Sequence, residues 1–136
     1  MTYLIDTNIV TYILKNNQTI INKLDKVTEL GEEVFISCIT YYEIKRGLLA
    51  VNATKQLDAF AELCSEFIIL FLDDIAIIER ACEIHADLKI NGTPIQDADV
   101  LIAATAITHD LNLVSNDSDM LRVQNLKLEN WLSRGV

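Results

Sequence analysis

The sequence predicts an α/β fold, a three-layer α/β/α sandwich with a central parallel sheet of four to five strands, from three observations. Short apolar segments alternate with longer segments in which apolar residues recur at helical spacing, as in sheets whose parallel strands are joined by helices. Apolar runs such as residues 67–72 are continuous, which is typical of strands buried on both faces. The 136 residues contain no repeat or linker, so we expect one domain over residues 1–136.

The predicted elements alternate along the whole chain. We predict strands at residues 3–5, 33–37, 68–72, 113–114 and 126–128. We predict helices at residues 8–15, 18–30, 39–51, 53–67, 73–90 and 96–111. Apolar periodicity is the main evidence for each of them.

The boundaries in the first half are set by polar residues and by a glycine. The first strand ends at Asp6, and Thr7 and Asn8, which are helix-capping types, precede an apolar helical pattern. The second helix is stopped by Gly31, because glycine suits the left-handed backbone at helix ends. After the second strand, apolar residues recur at helical spacing through the third and fourth helices.

The second half shows similar signals. The third strand is followed by Asp73 and Asp74, which we expect to cap the fifth helix and to favour its dipole. Residues 91–94, Asn-Gly-Thr-Pro, break the chain. The sixth helix is rich in Ala and Ile and is expected to be buried on several sides, and two short strands follow it.

The composition restricts the location of the protein. Apolar residues make up 51% and the mean hydropathy is +0.25, which indicates that a partner or a second copy covers part of the surface. No apolar run approaches the ~20 residues of a membrane span, and the first residues lack the features of an export signal, so we expect a cytoplasmic protein. Cys38, Cys64 and Cys82 are widely spaced and are predicted to be buried free thiols.

The net charge of −9 restricts the possible functions. It argues against a broad nucleic-acid-binding surface, because Lys and Arg supply most of the affinity for phosphate. An acidic chain can still act on phosphates if its carboxylates surround divalent cations, which invert the local field, or if a basic partner covers the acidic surface. Lys45, Arg46 and Arg122 lie near the acids discussed next and could touch a phosphate backbone, with simple solvent exposure as the alternative.

Four acidic residues occur in apolar sequence where an α/β fold collects its ligands. Asp6 ends the first strand, and Glu43 lies in the first half of the helix after the second strand. Asp99 lies in the first turns of the sixth helix, and Asp117 lies just past the fourth strand. Because ligands bind at the carboxyl ends of parallel strands, these four side chains are candidates for one site.

The chemistry of these residues points to a metal ion. Carboxylates at the edge of a core are costly unless they are paired or bind a metal. With no His or Cys among them they favour a hard cation, Mg²⁺ or Mn²⁺, which could hold a phosphate and lower the pKa of an attacking water. The alternatives are that Asp6 is a plain helix cap and that Glu43 is a solvated helix residue.

Two of the acids have competitors two residues away. Positions two apart on a helix point in different directions, so we expect Asp97 to cap the sixth helix and Asp99 to face the strand ends. Asp119 competes with Asp117, and the sequence leaves open which of the two is the fourth acid.

Four segments of the chain together carry a family resemblance. They are residues 3–9 (Tyr-Leu-Ile-Asp-Thr-Asn-Ile), 39–44 (Ile-Thr-Tyr-Tyr-Glu-Ile) with Gly47, 99–104 (Asp-Val-Leu-Ile-Ala-Ala) with Ala106, and 113–117 (Leu-Val-Ser-Asn-Asp) with Asp119. In this order, within a domain of this length, they resemble the PIN-domain ribonucleases of the VapC type, the toxins of bacterial and archaeal toxin–antitoxin pairs. The resemblance covers nearly the whole chain.

The resemblance implies a role for each matching residue. Asp6, Glu43 and Asp99 match the three acids that hold the family's Mg²⁺ or Mn²⁺, with Asp6 and Asp99 as the most direct ligands. Asp117 matches a fourth acid, so the implied catalytic set is Asp6, Glu43, Asp99 and Asp117. Polar residues that match the positions supporting the acids or the bound water are Thr7, Asn8 and Ser115.

The resemblance also implies an activity and partners. It implies an endoribonuclease that cuts structured RNA such as transfer RNA and leaves 5′-phosphate and 3′-hydroxyl ends. It implies a homodimer and a cognate antitoxin that lays apolar and basic segments beside the acids. The chain departs from the family at Met120, where Phe is common, with Leu121 expected to take over its packing, and at Ser115, where Thr is commoner. Neither departure removes a carboxylate.

Two other functions are compatible with acids at strand ends. One is a receiver-type, Mg²⁺-binding phospho-acceptor domain with Asp73 as the acceptor. That fold normally needs paired acids after the first strand and a Lys-Pro after the fifth, whereas this chain has Asp6 alone and Lys127 followed by Leu128. The other is an inactive PIN-like binding module, against which the intact set of acids argues.

Overall fold

The computed structural model of the protein describes residues 1–132. Within them the strands are β1 (Thr2–Ile5), β2 (Glu33–Ser37), β3 (Ile68–Leu70), β4 (Asn112–Val114) and β5 (Leu128–Glu129). The α-helices are α1 (Thr7–Leu14), α2 (Gln18–Glu29), α3 (Cys38–Ala50), α4 (Thr54–Cys64), α5 (Ile75–Ile90) and α6 (Asp97–Thr108). A 3₁₀ helix, Ser118–Arg122, lies between β4 and β5.

The five strands form one sheet in the order β3-β2-β1-β4-β5, and all four pairings are parallel. Side chains of β1 alternate between its faces: Leu4 packs with α5 and α6, whereas Tyr3 and Ile5 pack in the cluster that contains residues of α1 to α4. Helices therefore cover both faces, and the predicted three-layer sandwich with a central parallel sheet is confirmed.

The ends of the helices follow local chemistry. Asn17 and Asp74 cap α2 and α5 by accepting hydrogen bonds from the backbone N–H groups of Ile20 and Ala76, at 3.1 and 2.9 Å. Helix α6 ends three residues earlier than the predicted residue 111, because Asp110 has a left-handed backbone with φ of 55°. Within the described part of the chain, no helix is long and apolar enough to cross a membrane.

Three details of the sequence prediction are wrong. Strand β3 is an edge strand, and Ile68 is 52% exposed, so this apolar run is not buried on both faces. Strand β5 begins at Leu128, two residues later than predicted. The cysteines are free thiols, but Cys82 is exposed and the other two are half-buried.

Candidate metal centre

The candidate site lies where the strand order of the sheet reverses. Strand β1 pairs with β2 on one side and with β4 on the other, which creates a crevice at the carboxyl ends of the strands. Because Ile5 lies opposite Val114, the next residues, Asp6 and Ser115, meet at that edge. Helix α3 begins directly after β2, and α6 leads back toward the start of β4, so both helices begin at the same edge.

Asp6 is a helix cap and a buried member of this site. It is 2% exposed. Its Oδ1 accepts a hydrogen bond of 2.8 Å from the backbone N–H of Thr7, at the N-terminus of α1. Its Oδ2 accepts hydrogen bonds from the Ser115 hydroxyl at 2.7 Å and from the Asn8 amide at 3.3 Å. The cap and the site, which were alternatives for Asp6 in the sequence, are combined in one carboxylate.

The surroundings of Asp6 raise the pKa of its carboxyl group. Burial is the main cause, and the hydrogen bonds from Ser115 and Thr7 oppose it. The negative charges of Asp117 and Glu43 raise the pKa further. Asp6 is therefore close enough to both carboxylates to feel their charge.

Glu43 is tied to the first helix through a hydroxyl. The Thr7 hydroxyl donates to Glu43 Oε1 at 2.8 Å, and the Thr40 hydroxyl lies 3.1 Å from the Thr7 hydroxyl. Since the single Thr7 proton goes to Glu43, Thr40 is the donor in the second contact. Glu43 is half-buried and oriented by these contacts, unlike a solvated helix residue.

Asp99 faces the other acids from the first turn of α6. Its carboxyl pKa is raised from the ordinary 3.8 to about 6 by burial and then by the charges of Asp6, Asp117, Glu43 and Asp119. Among residues 1–132, no group donates a hydrogen bond to this carboxylate. Asp99 is thus a half-buried acid whose oxygens are available to a ligand.

The loop after β4 contributes two acids. Asp117 caps the 3₁₀ helix by accepting a 2.9 Å hydrogen bond from the backbone N–H of Asp119. Asp119 also pairs with Arg122 at 3.3 Å. Carboxylate oxygens of Asp99, Asp117 and Asp119 lie within 4.8 Å of one another. The sequence left open whether Asp117 or Asp119 faces the site. In the structure both of them do.

Ser115 and Asn8 link the strand ends. The Ser115 hydroxyl donates to Asp6 and accepts from the Asn8 amide at 3.3 Å and from the Asp117 backbone N–H at 3.0 Å. Asn8 Oδ1 accepts from the backbone N–H of Asn116 at 3.0 Å. These bonds fix the loop after β4 against α1, and with it the positions of the acids in that loop.

The donor set fits a hard divalent cation. Five carboxylates, those of Asp6, Glu43, Asp99, Asp117 and Asp119, act on one another electrostatically. Arg122 is the basic side chain that pairs with one of them within the described residues. All the donors are oxygens, which Mg²⁺ and Mn²⁺ prefer, and a +2 charge would relieve the repulsion. Asp6 is not one of the three carboxylates whose oxygens lie within 4.8 Å of one another. Its two oxygens accept hydrogen bonds from Thr7 and Ser115.

Three residue-level expectations need correction or gain no support. Asp97 is not the cap of α6: Gln96 occupies that position without a side-chain bond, and Asp97 is an exposed first helical residue. Leu121 does not take over core packing, since it is 75% exposed whereas Met120 is fully buried. Asp73, the acceptor in the receiver interpretation, is not among the charges that act on Asp6 or Asp99.

Comparisons with known proteins indicate which family has this fold. A family model, the PIN domain, matches residues 3–126. Ribonuclease VapC2 of Haemophilus influenzae is 30% identical over 138 residues, which cover 96% of this chain and 98% of the relative. Ribonuclease VapC1 of the same species is 28% identical over 134 residues, with the same coverage. The crystal structure of VapBC2 from Rickettsia felis, bound to a DNA fragment from their promoter, has a chain that matches with a TM-score of 0.84 and 28% identity, covering 96% of this chain and 99% of that one.

Proposed function

The chain belongs to the PIN-domain family, among its VapC-type members, and from this membership we propose that it is a metal-dependent endoribonuclease, the toxin of a type II toxin–antitoxin pair. The observation that carries the proposal is the convergence of five carboxylates at the point where the strand order reverses. Residues 1–136 form its single nuclease domain. The two Haemophilus influenzae relatives are named as ribonucleases.

The metal ion is Mg²⁺ or Mn²⁺, and we assign Asp6 and Asp99 as its ligands. Asp117 and Asp119 are further oxygen donors beside Asp99, which the close approach of these three carboxylates supports. Asp6, Glu43, Asp99 and Asp117 make up the catalytic set. When bound, the ion supplies positive charge to the phosphate and lowers the pKa of a water.

The residues of the chain orient the reaction. Thr7 holds Glu43 through Oε1, which leaves Oε2 to accept a proton from the attacking water. Ser115 and the Thr7 backbone N–H hold Asp6 in one orientation, so the carboxylate does not need to reorganise during the reaction. Water attacks the phosphorus in line with the P–O3′ bond. That bond breaks and the 3′ oxygen leaves and takes a proton, which gives 5′-phosphate and 3′-hydroxyl ends.

The proposal also includes a substrate and partners. We assign structured RNA, such as transfer RNA, as the substrate, cut in a loop or single-stranded region, because a compact acidic crevice admits only a splayed backbone.

The Rickettsia felis neighbour is a VapBC2 structure, which supports a cognate antitoxin as partner in the cytoplasm. Exposed apolar residues in β3, just after it and at the start of α5, namely Ile68, Phe71 and Ile75, support a homodimer. Sedimentation of the purified chain would detect it.

The test is RNA cleavage by the Asp6→Asn variant with Mn²⁺ present. Asn keeps the shape of the side chain and removes the charge, so we expect cleavage to fall more than about 100-fold, beyond the usual effect of residues that only support a metal ligand. The matched control is Asp25→Asn, an exposed acid on α2, which should cleave at the wild-type rate.

Three results would contradict parts of the proposal. Wild-type cleavage by Asp6→Asn would remove Asp6 from the mechanism. Cleavage that survives an excess of chelator would remove the metal ion. A wild-type chain that binds no Mn²⁺ in calorimetry and cuts no RNA would be an inactive binding module.

A further inference from the structure

A cavity lies next to the acidic site, between α1, α3 and α4. Its volume is about 380 Å³, within the range of about 300–1,000 Å³ of small-ligand pockets. Thr7 and Glu43 belong to both the cavity wall and the acidic site. A molecule whose phosphate lies on the acids would therefore extend directly into this cavity.

The charge of the cavity is opposite to that of the chain. Lys15 and Arg46 line it, and neither of them pairs with a carboxylate among residues 1–132. In a chain of net charge −9, two basic side chains without acidic partners beside five carboxylates form a local site for an anion. Glu43 is the acidic side chain in the same wall, so two positive charges face one negative charge in the cavity.

An aromatic ring stands beside these basic residues. Tyr42, the neighbour of Glu43 in sequence, is 59% exposed. The guanidinium carbon of Arg46 lies 4.8 Å from the centroid of its ring, within the range of a cation–π contact. Arg46 thus connects the cavity to an exposed aromatic surface, and unpaired bases stack on such tyrosine and arginine planes.

Gly47 borders the open space of the cavity. It lies inside α3 and lines the cavity, and a Cβ built on it would meet no heavy atom within 4 Å. Glycine inside a helix destabilises it relative to alanine, and no contact in the described structure requires glycine at this position. The space it leaves free is part of the cavity.

We propose that this cavity and the exposed Tyr42 ring next to Arg46 together form the binding subsite for an unpaired nucleotide of the RNA that adjoins the scissile phosphate. Arg46 and Lys15 bind the phosphate that flanks this nucleotide, and its base stacks on Tyr42. The inference rests on the proposed ribonuclease function and adds to it a requirement for single-stranded RNA on the α3 side of the acids.

The test measures RNA binding, with Mn²⁺ present, by the full chain carrying Asp6→Asn to prevent cleavage. The probe is an unstructured, fluorescently labelled single-stranded RNA, and affinity is measured over a series of salt concentrations. Arg46→Gln should weaken binding and lower the slope of log affinity against log salt by about 0.7, the value for one lost phosphate contact on a single strand. Tyr42→Ala should weaken binding about tenfold with an unchanged slope, because stacking does not release counterions.

Three further variants separate the proposed roles from general effects. Tyr42→Phe keeps the ring and should bind like the parent. Lys45→Gln removes a charge from the same helix, but Lys45 lies over Tyr41, which packs on Phe60 away from the cavity, so binding should not change. Gly47→Leu fills the cavity and should bind RNA less tightly while its melting temperature does not fall.

The outcomes distinguish the subsite from the proposed function. The subsite is overturned if the parent binds no RNA, if Tyr42→Ala and Arg46→Gln bind like the parent, or if Lys45→Gln weakens binding as much as Arg46→Gln. It is also overturned if the Tyr42 and Arg46 variants lose binding of an antitoxin peptide but not of RNA. If the binding pattern holds while the wild type cuts no RNA with Mn²⁺, the subsite stands and the ribonuclease function falls.

Discussion

Removing one charge from the acidic site should stabilise the metal-free protein. Asp99 is half-buried and faces four other carboxylates, which together with burial raise its pKa from 3.8 to about 6. At pH 7.5 the folded chain therefore holds an ionised group in an unfavourable position. Asp99→Asn removes this charge, and no hydrogen bond to the carboxylate among residues 1–132 is lost with it.

The size of the effect follows from the pKa. The difference between 3.8 and about 6 corresponds to about 3 kcal/mol, and solvent screening of a half-exposed group reduces it to about 1–2 kcal/mol. For a chain of this length each kcal/mol moves the melting temperature by roughly 3–5 °C. We expect metal-free Asp99→Asn to melt about 3–10 °C above the wild type at pH 7.5.

Because the pKa of Asp99 is raised, the gain in stability from Asp99→Asn depends on pH. Because the carboxyl pKa is raised on folding, the folded state binds more protons than the unfolded state between pH 3.8 and about 6. The wild type therefore loses stability as pH rises through this window, and the advantage of Asp99→Asn is complete above it and fades toward pH 4. Thermal melts by circular dichroism with a chelator, from pH 4 to pH 8, measure this.

The control is Asp97→Asn, which removes an exposed charge from the same first turn of α6. Any contribution of the helix dipole is common to both variants, so the difference between them isolates the acidic site. Adding Mn²⁺ should raise the melting temperature of the wild type and of Asp97→Asn more than that of Asp99→Asn. If the two variants melt alike at pH 7.5, or if the gain of Asp99→Asn persists at pH 4, the acidic site does not destabilise the ionised Asp99 carboxylate.

Two further predictions concern the elements around the site. Gly47→Ala should raise the free energy of unfolding by about 0.5–1 kcal/mol in denaturant titrations, since Gly47 has open space around it within α3. The control Gly92→Ala should lower the free energy of unfolding, because Gly92 has φ of +71°. Equal effects of the two substitutions would contradict this prediction. Met120→Ala should lower the free energy of unfolding by about 2–5 kcal/mol, because a fully buried side chain is lost. Leu121→Ala should change it by no more than about 0.5 kcal/mol. A larger decrease for Leu121→Ala than for Met120→Ala would show that Leu121, not Met120, is the buried residue.

The main features of the fold and site could be predicted because they depend on short-range patterns. Strand β2 has the predicted bounds, Glu33–Ser37, and its helix follows at once. Asp6 could be assigned to the site because it directly follows an apolar strand, and carboxyl ends of parallel strands share one edge. The same reasoning places Asp117 there, since it follows β4.

The same two-residue spacing has opposite results in two places, and the sequence predicted only the first of them. Asp97 and Asp99 lie in one α-helical turn, so their side chains diverge and only Asp99 faces the acids. Asp117 and Asp119 lie across a cap, where the Asp117 carboxylate accepts from the Asp119 N–H. That turn brings both carboxylates to one helix end. The 3₁₀ helix that causes this has no apolar periodicity to predict it.

The position of β3 at the edge and the burial of Met120 depend on contacts between distant segments. An apolar run predicts a strand, but the strand order decides whether both faces are covered, and order is set by how the helices pack. Similarly, Met120 and Leu121 are equally apolar, and the direction of the 3₁₀ turn determines which of them enters the core.

The distribution of charge explains how a chain of net charge −9 can act on a polyanion. An RNA phosphate is repelled by five clustered carboxylates until a divalent cation inverts the local field. Beside that cluster, Lys15 and Arg46 stand without acidic partners among the described residues. In the proposed function, the metal ion and these two side chains supply the positive charge next to the scissile phosphate. Contacts of the ion and of these side chains with phosphates would fix the register of the bound strand without reading its sequence.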